Sequence, residues 1–117
     1  MIRIFHNPRC SKSREALQML LERGEALEII DYLKTPPDAT ELEHILALLG
    51  IEPIDLMRHK EPEFLELHLD DPALNRKQLI DAMVRHPRLI ERPIAMDGTR
   101  AVIGRPPERV LELLHSR

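Results

Sequence analysis

The first thirty residues constrain the fold most strongly, because their pattern predicts two β-strands joined by one helix. Residues 2–5 are short and partly alternating, which predicts a strand, and residues 11–23 carry apolar side chains at helical spacing. Gly24 follows as a helix stop, and residues 27–30 predict a second strand. Two strands joined through a helix run parallel in one sheet. The chain is therefore predicted to begin with a β-α-β unit.

Helices are predicted through the middle of the chain, from about residue 38 to residue 86. Thr40 and Glu43 have the spacing of a capping box, in which each side chain bonds the other's backbone, and they predict where the first of these helices begins. Asn75 and Gln78 predict a second capping box further along. The segment between the two helices is rich in proline, and it predicts only short helices.

A β-hairpin and a closing helix are predicted after this helical segment. Two apolar runs flank Asp97-Gly98, which is a strong hairpin signal, and Pro106-Pro107 fits the first turn of a last helix. The order β-α-β, helices, β-β-α predicts an α/β protein with a thioredoxin-like mixed sheet. Residues 1–117 would form a single domain, with an inserted helical subdomain at about 38–86.

The chain has one cysteine, Cys10, which lies at the N-terminus of the first predicted helix. Unpaired N–H groups and the helix dipole favour a thiolate there, and the same groups can receive an oxyanion. Lys12, Arg14 and His6 add cationic groups that push in the same direction. A lone intracellular cysteine is more often buried and inert, but residues 6–14 contain no aliphatic side chain to bury it against. The pattern favours a reactive thiol.

Ser13 completes a Cys-x-x-Ser motif, in the place where thioredoxins carry a second cysteine. A serine can donate a hydrogen bond to a thiolate, or it can satisfy backbone groups in the first turn of the helix. It cannot resolve a mixed disulfide. With one cysteine there is no intramolecular disulfide, so any disulfide chemistry must use a partner's sulfur.

Other kinds of site and partner are disfavoured. Zinc requires three or four ligands, and no second His/Cys pair accompanies His6 and Cys10, so no metal is expected. The chain has no Gly-rich phosphate loop, and we expect no bound cofactor. It has no polybasic patch for nucleic acid, no signal-peptide pattern and no apolar run near the ~20 residues of a membrane-spanning helix. We expect a cytoplasmic monomer.

Both ends of the chain are basic, although its net charge is −3. Residues 1–21 carry a balance of +3 and residues 73–117 a balance of +4, so the two ends could meet around a small anion. Solvated faces are the simpler explanation. Arg58, Arg92 and Arg105 are candidates for such an anion site, although each taken alone is more often a surface arginine.

Four segments together resemble the arsenate reductase family that is coupled to glutaredoxin and glutathione. They match in order and spacing between His6 and Leu114, and they read HNPRCSKSR, DYLKTPP, LIERPI and GRPPERVL. The family's fold is thioredoxin-like with an inserted helical subdomain, which agrees with the fold predicted above.

The resemblance implies a role for each matching residue. Cys10 would be the nucleophile, and His6 and Ser13 would support its thiolate. Three arginines would bind the oxyanion and its intermediates: Arg58, Arg92 and Arg105. The implied reaction begins with attack of the thiolate on arsenate. Glutathione then attacks the adduct, and glutaredoxin resolves the product so that arsenite is released.

Two other interpretations stay open. A monothiol redox adaptor or a protein-binding regulator on the same fold would carry Cys10 without reducing arsenate. The family includes regulators that bind RNA polymerase, but these typically have Cys-x-x-Cys, which is absent here. An inert structural domain is the other interpretation. The loop Cys-Ser-Lys-Ser also differs from the Cys-Gly-Thr-Ser type of loop in well-studied members that reduce arsenate.

Overall fold

The computed structural model describes residues 1–114 and contains a four-stranded mixed sheet with helices. The strands are β1 Ile2–His6, β2 Leu27–Asp31, β3 Ile94–Met96 and β4 Ala101–Ile103. The α-helices are α1 Ser11–Glu22, α2 Ala39–Leu49, α3 Pro62–Glu66 and α4 Arg76–Arg85. Short 3₁₀-helices span Pro53–Leu56, Pro87–Leu89 and Pro107–Leu114. No helix within residues 1–114 is long and apolar enough to cross a membrane.

The sheet has the strand order β2-β1-β3-β4. β1 and β2 are parallel, with Ile2 opposite Leu27 and His6 opposite Asp31. β3 pairs antiparallel with both β1 and β4, and Phe5 lies opposite Ile94. The predicted β-α-β unit and the predicted hairpin are both present, and the α/β thioredoxin-like sheet is confirmed. This topology brings the end of β1, the end of β2 and the start of β3 to one edge of the sheet.

The chain divides into two compact units. The first comprises residues 1–35 and the chain from Arg92 onward, and it contains the whole sheet and α1. Each fully buried aliphatic side chain stabilises a core by about 1.5–3 kcal/mol. The core of this unit is formed by Ile2, Ile4, Ala16, Leu20, Ala95, Val102, Val110 and Leu113.

The second unit, residues 36–91, contains α2, α3, α4 and two of the 3₁₀-helices. Its fully buried side chains include Leu42, Ile45, Leu46, Leu56, Met83 and Leu89. The helices predicted between residues 38 and 86 all lie in this unit.

One of the two predicted capping boxes is wrong. The N-cap of α2 lies two residues before the predicted Thr40, because Asp38 takes that position and accepts a hydrogen bond from the backbone N–H of Glu41 at 2.8 Å. An aspartate in extended conformation satisfies a free donor of the first turn in the same way that a threonine would. The second predicted box is confirmed, since Asn75 and Gln78 each accept from the other's backbone N–H.

The closing helix is 3₁₀ in character, and its inward face differs slightly from the expected one. An α-helix here is expected to place Val110, Leu111 and Leu114 on its inward face. In the structure Val110 and Leu113 are fully buried, whereas Leu111 and Leu114 are only partly buried against the same core. A 3₁₀-helix has three residues per turn, so positions three apart share a face. This spacing explains why Leu113 takes the place expected for Leu114.

Candidate functional site

Cys10 is the N-cap of α1 and lies at the edge of the sheet just described. The preceding turn is held by Asn7, whose carbonyl oxygen accepts from the N–H of Cys10 at 3.0 Å and whose Oδ1 accepts from the N–H of Arg9 at 2.9 Å. Cys10 is extended, and its own carbonyl accepts from the N–H of Arg14 at 3.0 Å. The half-buried sulfur therefore stands where the first N–H groups of α1 are unpaired.

The thiol of Cys10 is more acidic than an ordinary cysteine. Burial alone would raise its pKa, but the backbone N–H of Ser13, the Arg92 guanidinium and the backbone N–H of Lys12 together hold the pKa below its usual value. Each of these groups presents positive charge to the sulfur and favours the thiolate over the thiol. A reactive Cys10 is consistent with this environment.

Arg92 reaches Cys10 because β3 starts at the edge of the sheet where β1 ends. The Arg92-Pro93 peptide bond is cis. Arg105 Nε donates to the backbone carbonyl of Arg92 at 3.0 Å, and the N–H of Gly104 donates to the carbonyl of Pro93 at 2.8 Å. The hairpin strand β4 and the residues after it therefore fix the backbone from which the Arg92 side chain extends.

Tyr32 also belongs to the site, although sequence analysis did not single it out. It directly follows β2 and is 1% exposed. Burial would lower the pKa of Arg92, but interactions with Tyr32 and Cys10 raise it above its ordinary value. The chain's one tyrosine stands in the segment DYLKTPP that carried the family resemblance, and that segment was the available signal.

His6 is a hydrogen-bonding group of the site, although a cationic role was expected for it. Burial is the main reason that its pKa lies below the ordinary value, and nearby Arg14 lowers it further, while Asp31 and Ser13 partly oppose the shift. A histidine with a lowered pKa is uncharged near neutral pH. Its Nδ1 is 2.6 Å from Ser13 Oγ, so the ring is engaged in a buried hydrogen bond.

Ser13 also makes contacts other than the one expected. Its fully buried hydroxyl pairs with His6 Nδ1 and accepts from the backbone N–H of Asn7 at 3.0 Å. The hydroxyl therefore joins the end of β1 to the first turn of α1. What Ser13 offers the Cys10 thiolate is its backbone N–H.

Arg14 and Lys12 make contacts at the start of α1 that their sequence positions did not predict. The exposed Arg14 side chain donates from Nη1 to the carbonyl of Pro8 at 2.9 Å, which braces the turn before Cys10. Lys12 favours the thiolate through its backbone N–H. Both residues therefore shape the start of α1, and the guanidinium acting on the sulfur is that of Arg92.

Arg58 lies in the second unit, residues 36–91. Its backbone N–H donates to the carbonyl of Leu89 at 2.7 Å. Its side chain pairs with Glu61 at 2.6 Å and with Glu91 at 3.8 Å, so two carboxylates hold this guanidinium. The predicted arginine is thus an ion-paired group within its own unit.

The arrangement at the sheet edge suits nucleophilic attack on an anion. The sulfur of Cys10 lies beside a guanidinium and the backbone N–H groups at a helix N-terminus, and these groups favour its thiolate form. Within the described residues 1–114, no three His, Cys, Asp or Glu side chains are grouped so that they could hold a metal ion.

Comparison with known proteins gives a consistent result. Residues 5–113 match the model of the ArsC family. An arsenate reductase of Neisseria meningitidis is 48% identical over 97% of both chains, and an uncharacterized Escherichia coli protein, YfgD, is 50% identical over 97% of this chain and 96% of its own. The solved structure of an arsenate reductase from Vibrio cholerae has a TM-score of 0.93 and 47% identity, and the match covers 95% of each chain. This chain belongs to the ArsC family.

Proposed function

We propose that this chain is an arsenate reductase whose nucleophile is the Cys10 thiolate. The observation that carries the proposal is the position of Cys10 at the N-terminus of α1 beside the Arg92 guanidinium, where a thiolate is favoured. Relatives named arsenate reductase match nearly the whole chain, which supports the same activity. Because the thiolate and the cation are adjacent, one site can both attract an oxyanion and attack it.

The first chemical step forms a bond between Cys10 Sγ and arsenic. The thiolate attacks arsenate, and one arsenate oxygen takes up protons and leaves as water. The Arg92 guanidinium stands beside the sulfur before reaction, so it can neutralise the negative charge of the bound oxyanion without reorganising.

The reducing electrons must come from other molecules, because the chain has one cysteine and no second thiol. In the proposed sequence glutathione attacks the thiol–arsenate adduct, and glutaredoxin resolves the product with release of arsenite. Overall, arsenate accepts two electrons and loses one oxygen as water, while two thiols become one disulfide. Glutathione keeps thiols reduced in the cytosol, so the proposal places the reaction in the cytoplasm.

Arg105 and Arg58 are proposed as further oxyanion-binding residues. Arg105 lies next to Arg92, since its Nε donates to the carbonyl of Arg92. Arg58 is held by Glu61 and Glu91, so an anion would have to compete with two carboxylates for this side chain. The two arginines therefore need separate tests.

Consumption of NADPH, coupled through glutathione reductase, glutathione and glutaredoxin, tests the proposal. The wild-type protein should oxidise NADPH in an arsenate-dependent manner, and Cys10→Ser should not. Removal of one charge-stabilising donor costs about 10²-fold in other enzymes, and we expect a loss of that order for Arg92→Ala. Arg109→Ala is the matched control, because this exposed arginine pairs with Glu112 of its own helix at 3.2 Å. Wild-type protein that fails to reduce arsenate at any glutathione concentration would refute the proposal.

The rate of thiol alkylation separates an arsenate reductase from a redox adaptor on the same fold. Alkylation of Cys10 is followed against pH, with and without arsenate or sulfate. A bound oxyanion should slow the alkylation, because it occupies the space in front of the sulfur and shares Arg92. A thiol that is acidic but insensitive to anions would favour the adaptor.

A further inference from the structure

Tyr32 is a buried polar side chain next to the candidate site, and the proposed reaction gives it no task. It is among the largest fully buried side chains of the protein. A buried tyrosine normally has a hydrogen-bond partner for its hydroxyl, because burying that group alone is costly. The group nearest to its hydroxyl therefore matters for the candidate site.

The register of the sheet places Tyr32 and Arg92 on either side of the chain that leaves β1. His6 lies opposite Asp31, so Tyr32 is one residue beyond the paired part of β2. Phe5 lies opposite Ile94, so Arg92 is two residues before β3. Two strands flanking a third are about 10 Å apart, which the two long side chains can span between them.

The guanidinium of Arg92 has two neighbours that interact with it, Tyr32 and Cys10. Its Nε is buried, and so is the hydroxyl oxygen of Tyr32. A guanidinium can only donate hydrogen bonds, and the phenol oxygen must therefore be the acceptor. The backbone of Arg92 is fixed separately, by Arg105.

We propose that Tyr32 is a positioning residue, whose phenol oxygen accepts a hydrogen bond from the Arg92 guanidinium and so holds that group against Cys10 Sγ. The inference depends on the proposed function only for the identity of the substrate, arsenate, that the thiolate would attack. The chain of contacts Tyr32–Arg92–Cys10 would serve any reaction that uses this thiolate.

A purely structural Tyr32 would fill space in the core, and a phenylalanine would fill that space equally well. A positioning Tyr32 acts through its oxygen. Tyr32→Phe keeps the ring and removes the acceptor, so the Arg92 side chain gains freedom and spends less time against the sulfur. The thiolate is then less favoured, although the fold is retained.

Alkylation of Cys10 by iodoacetamide, measured against pH, tests this in four proteins: wild type, Tyr32→Phe, Arg92→Ala and the double variant. We expect Tyr32→Phe to react roughly two- to tenfold more slowly at pH 7, the factor that one lost hydrogen bond represents. The double variant should react at the rate of Arg92→Ala, because the tyrosine has nothing left to position. His6, Asp31 and Arg14, the other charged or titratable groups near this edge of the sheet, are common to all four.

Two outcomes would overturn the proposal. One is a Tyr32→Phe protein with the wild-type pH profile. The other is a Tyr32→Phe effect of equal size with and without Arg92, which would mean that the tyrosine acts by another route. Both outcomes are read without arsenate, so a failure of the proposed function leaves this test intact.

A second measurement needs no substitution of Tyr32. The chain has one tyrosine and no tryptophan, so tyrosine fluorescence reports on Tyr32 alone. If Arg92 links Tyr32 to Cys10, the fluorescence of the wild type changes over the pH range in which the alkylation rate changes. Arg92→Ala should abolish that transition. A transition that persists in Arg92→Ala contradicts the proposed contact, even if Tyr32→Phe does not fold.

Discussion

Gly104 packs so closely against Pro93 that adding one methyl group there should strain the candidate site. A Cβ at this position would lie 2.7 Å from Pro93 Cγ and 3.0 Å from Val110 Cγ1. The first distance is 0.7 Å short of the 3.4 Å at which ordinary contact begins. Gly104→Ala must therefore move the proline that follows Arg92, or the core residue Val110.

Neither neighbour can yield easily. The ring of Pro93 is closed onto its backbone nitrogen, and its carbonyl accepts a hydrogen bond from the N–H of Gly104 itself at 2.8 Å. Val110 is fully buried in the core of the first unit. Overpacking of this kind typically costs about 1–3 kcal/mol. For a chain of this length that corresponds to a melting temperature lower by about 4–12 °C.

Thermal unfolding followed by circular dichroism measures the effect, and Gly98→Ala is the matched control. Gly98 belongs to the same hairpin, but a Cβ there would meet nothing within 4 Å. Its substitution should change stability by no more than about 0.5 kcal/mol. Because Pro93 directly follows Arg92, a shift of Pro93 in Gly104→Ala should displace Arg92 and so also slow the alkylation of Cys10. If the two variants melt together, the packing argument is wrong.

Two further predictions concern the helix cap and the buried histidine. Asp38→Ala should lower the free energy of unfolding by about 0.5–2 kcal/mol, because Asp38 caps α2 by accepting a hydrogen bond from the N–H of Glu41. Thr40→Ala should have little effect. Urea denaturation of the two variants shows which residue is the cap. The pKa of His6 is lowered chiefly by burial, so the unfolded chain binds more protons than the folded one below the ordinary value of 6.5. Stability should accordingly fall as the pH decreases through 6.5, and His6→Gln should lack this part of the decline; equal pH profiles would contradict the assignment.

Local pattern was sufficient for most of the fold. The β-α-β unit follows from apolar spacing and from a glycine stop, and Gly24 indeed follows the end of α1 in the left-handed conformation, with φ 73°. The start of α2 could not be predicted as well, because Asp38 and Thr40 are both good caps and lie two residues apart. Only the backbone conformation decides which of them is used.

The site was predictable where it is local and not where it depends on strand pairing. Cys10 at the N-terminus of α1 follows from the turn before it. Arg92 reaches Cys10 only because β1 pairs with β3, and the resemblance to a known family supplied that residue before the structure did. Tyr32 is brought to the site by the pairing of β1 with β2, and a single tyrosine after an apolar run gives no local signal of its role.

Charge counted along the sequence proved a poor guide to the electrostatics of the sulfur. His6 is close to Cys10 in sequence, yet burial lowers its pKa and makes it a neutral hydrogen-bonding partner of Ser13. Arg14 is equally close, yet it binds the carbonyl of Pro8. The sequence shows formal charges, whereas burial and direction determine which charges act.

The acidity of Cys10 therefore depends on the packing of the hairpin. Burial disfavours the thiolate, so two backbone N–H groups and one guanidinium must outweigh it. The N–H groups come with α1, but the guanidinium stays in place only while Arg105 holds the carbonyl of Arg92 and Gly104 leaves room for Pro93. Loosening the hairpin should consequently make the thiol less acidic before it unfolds the protein, because the electrostatic contribution falls with distance and the core of α1 and β1 remains intact.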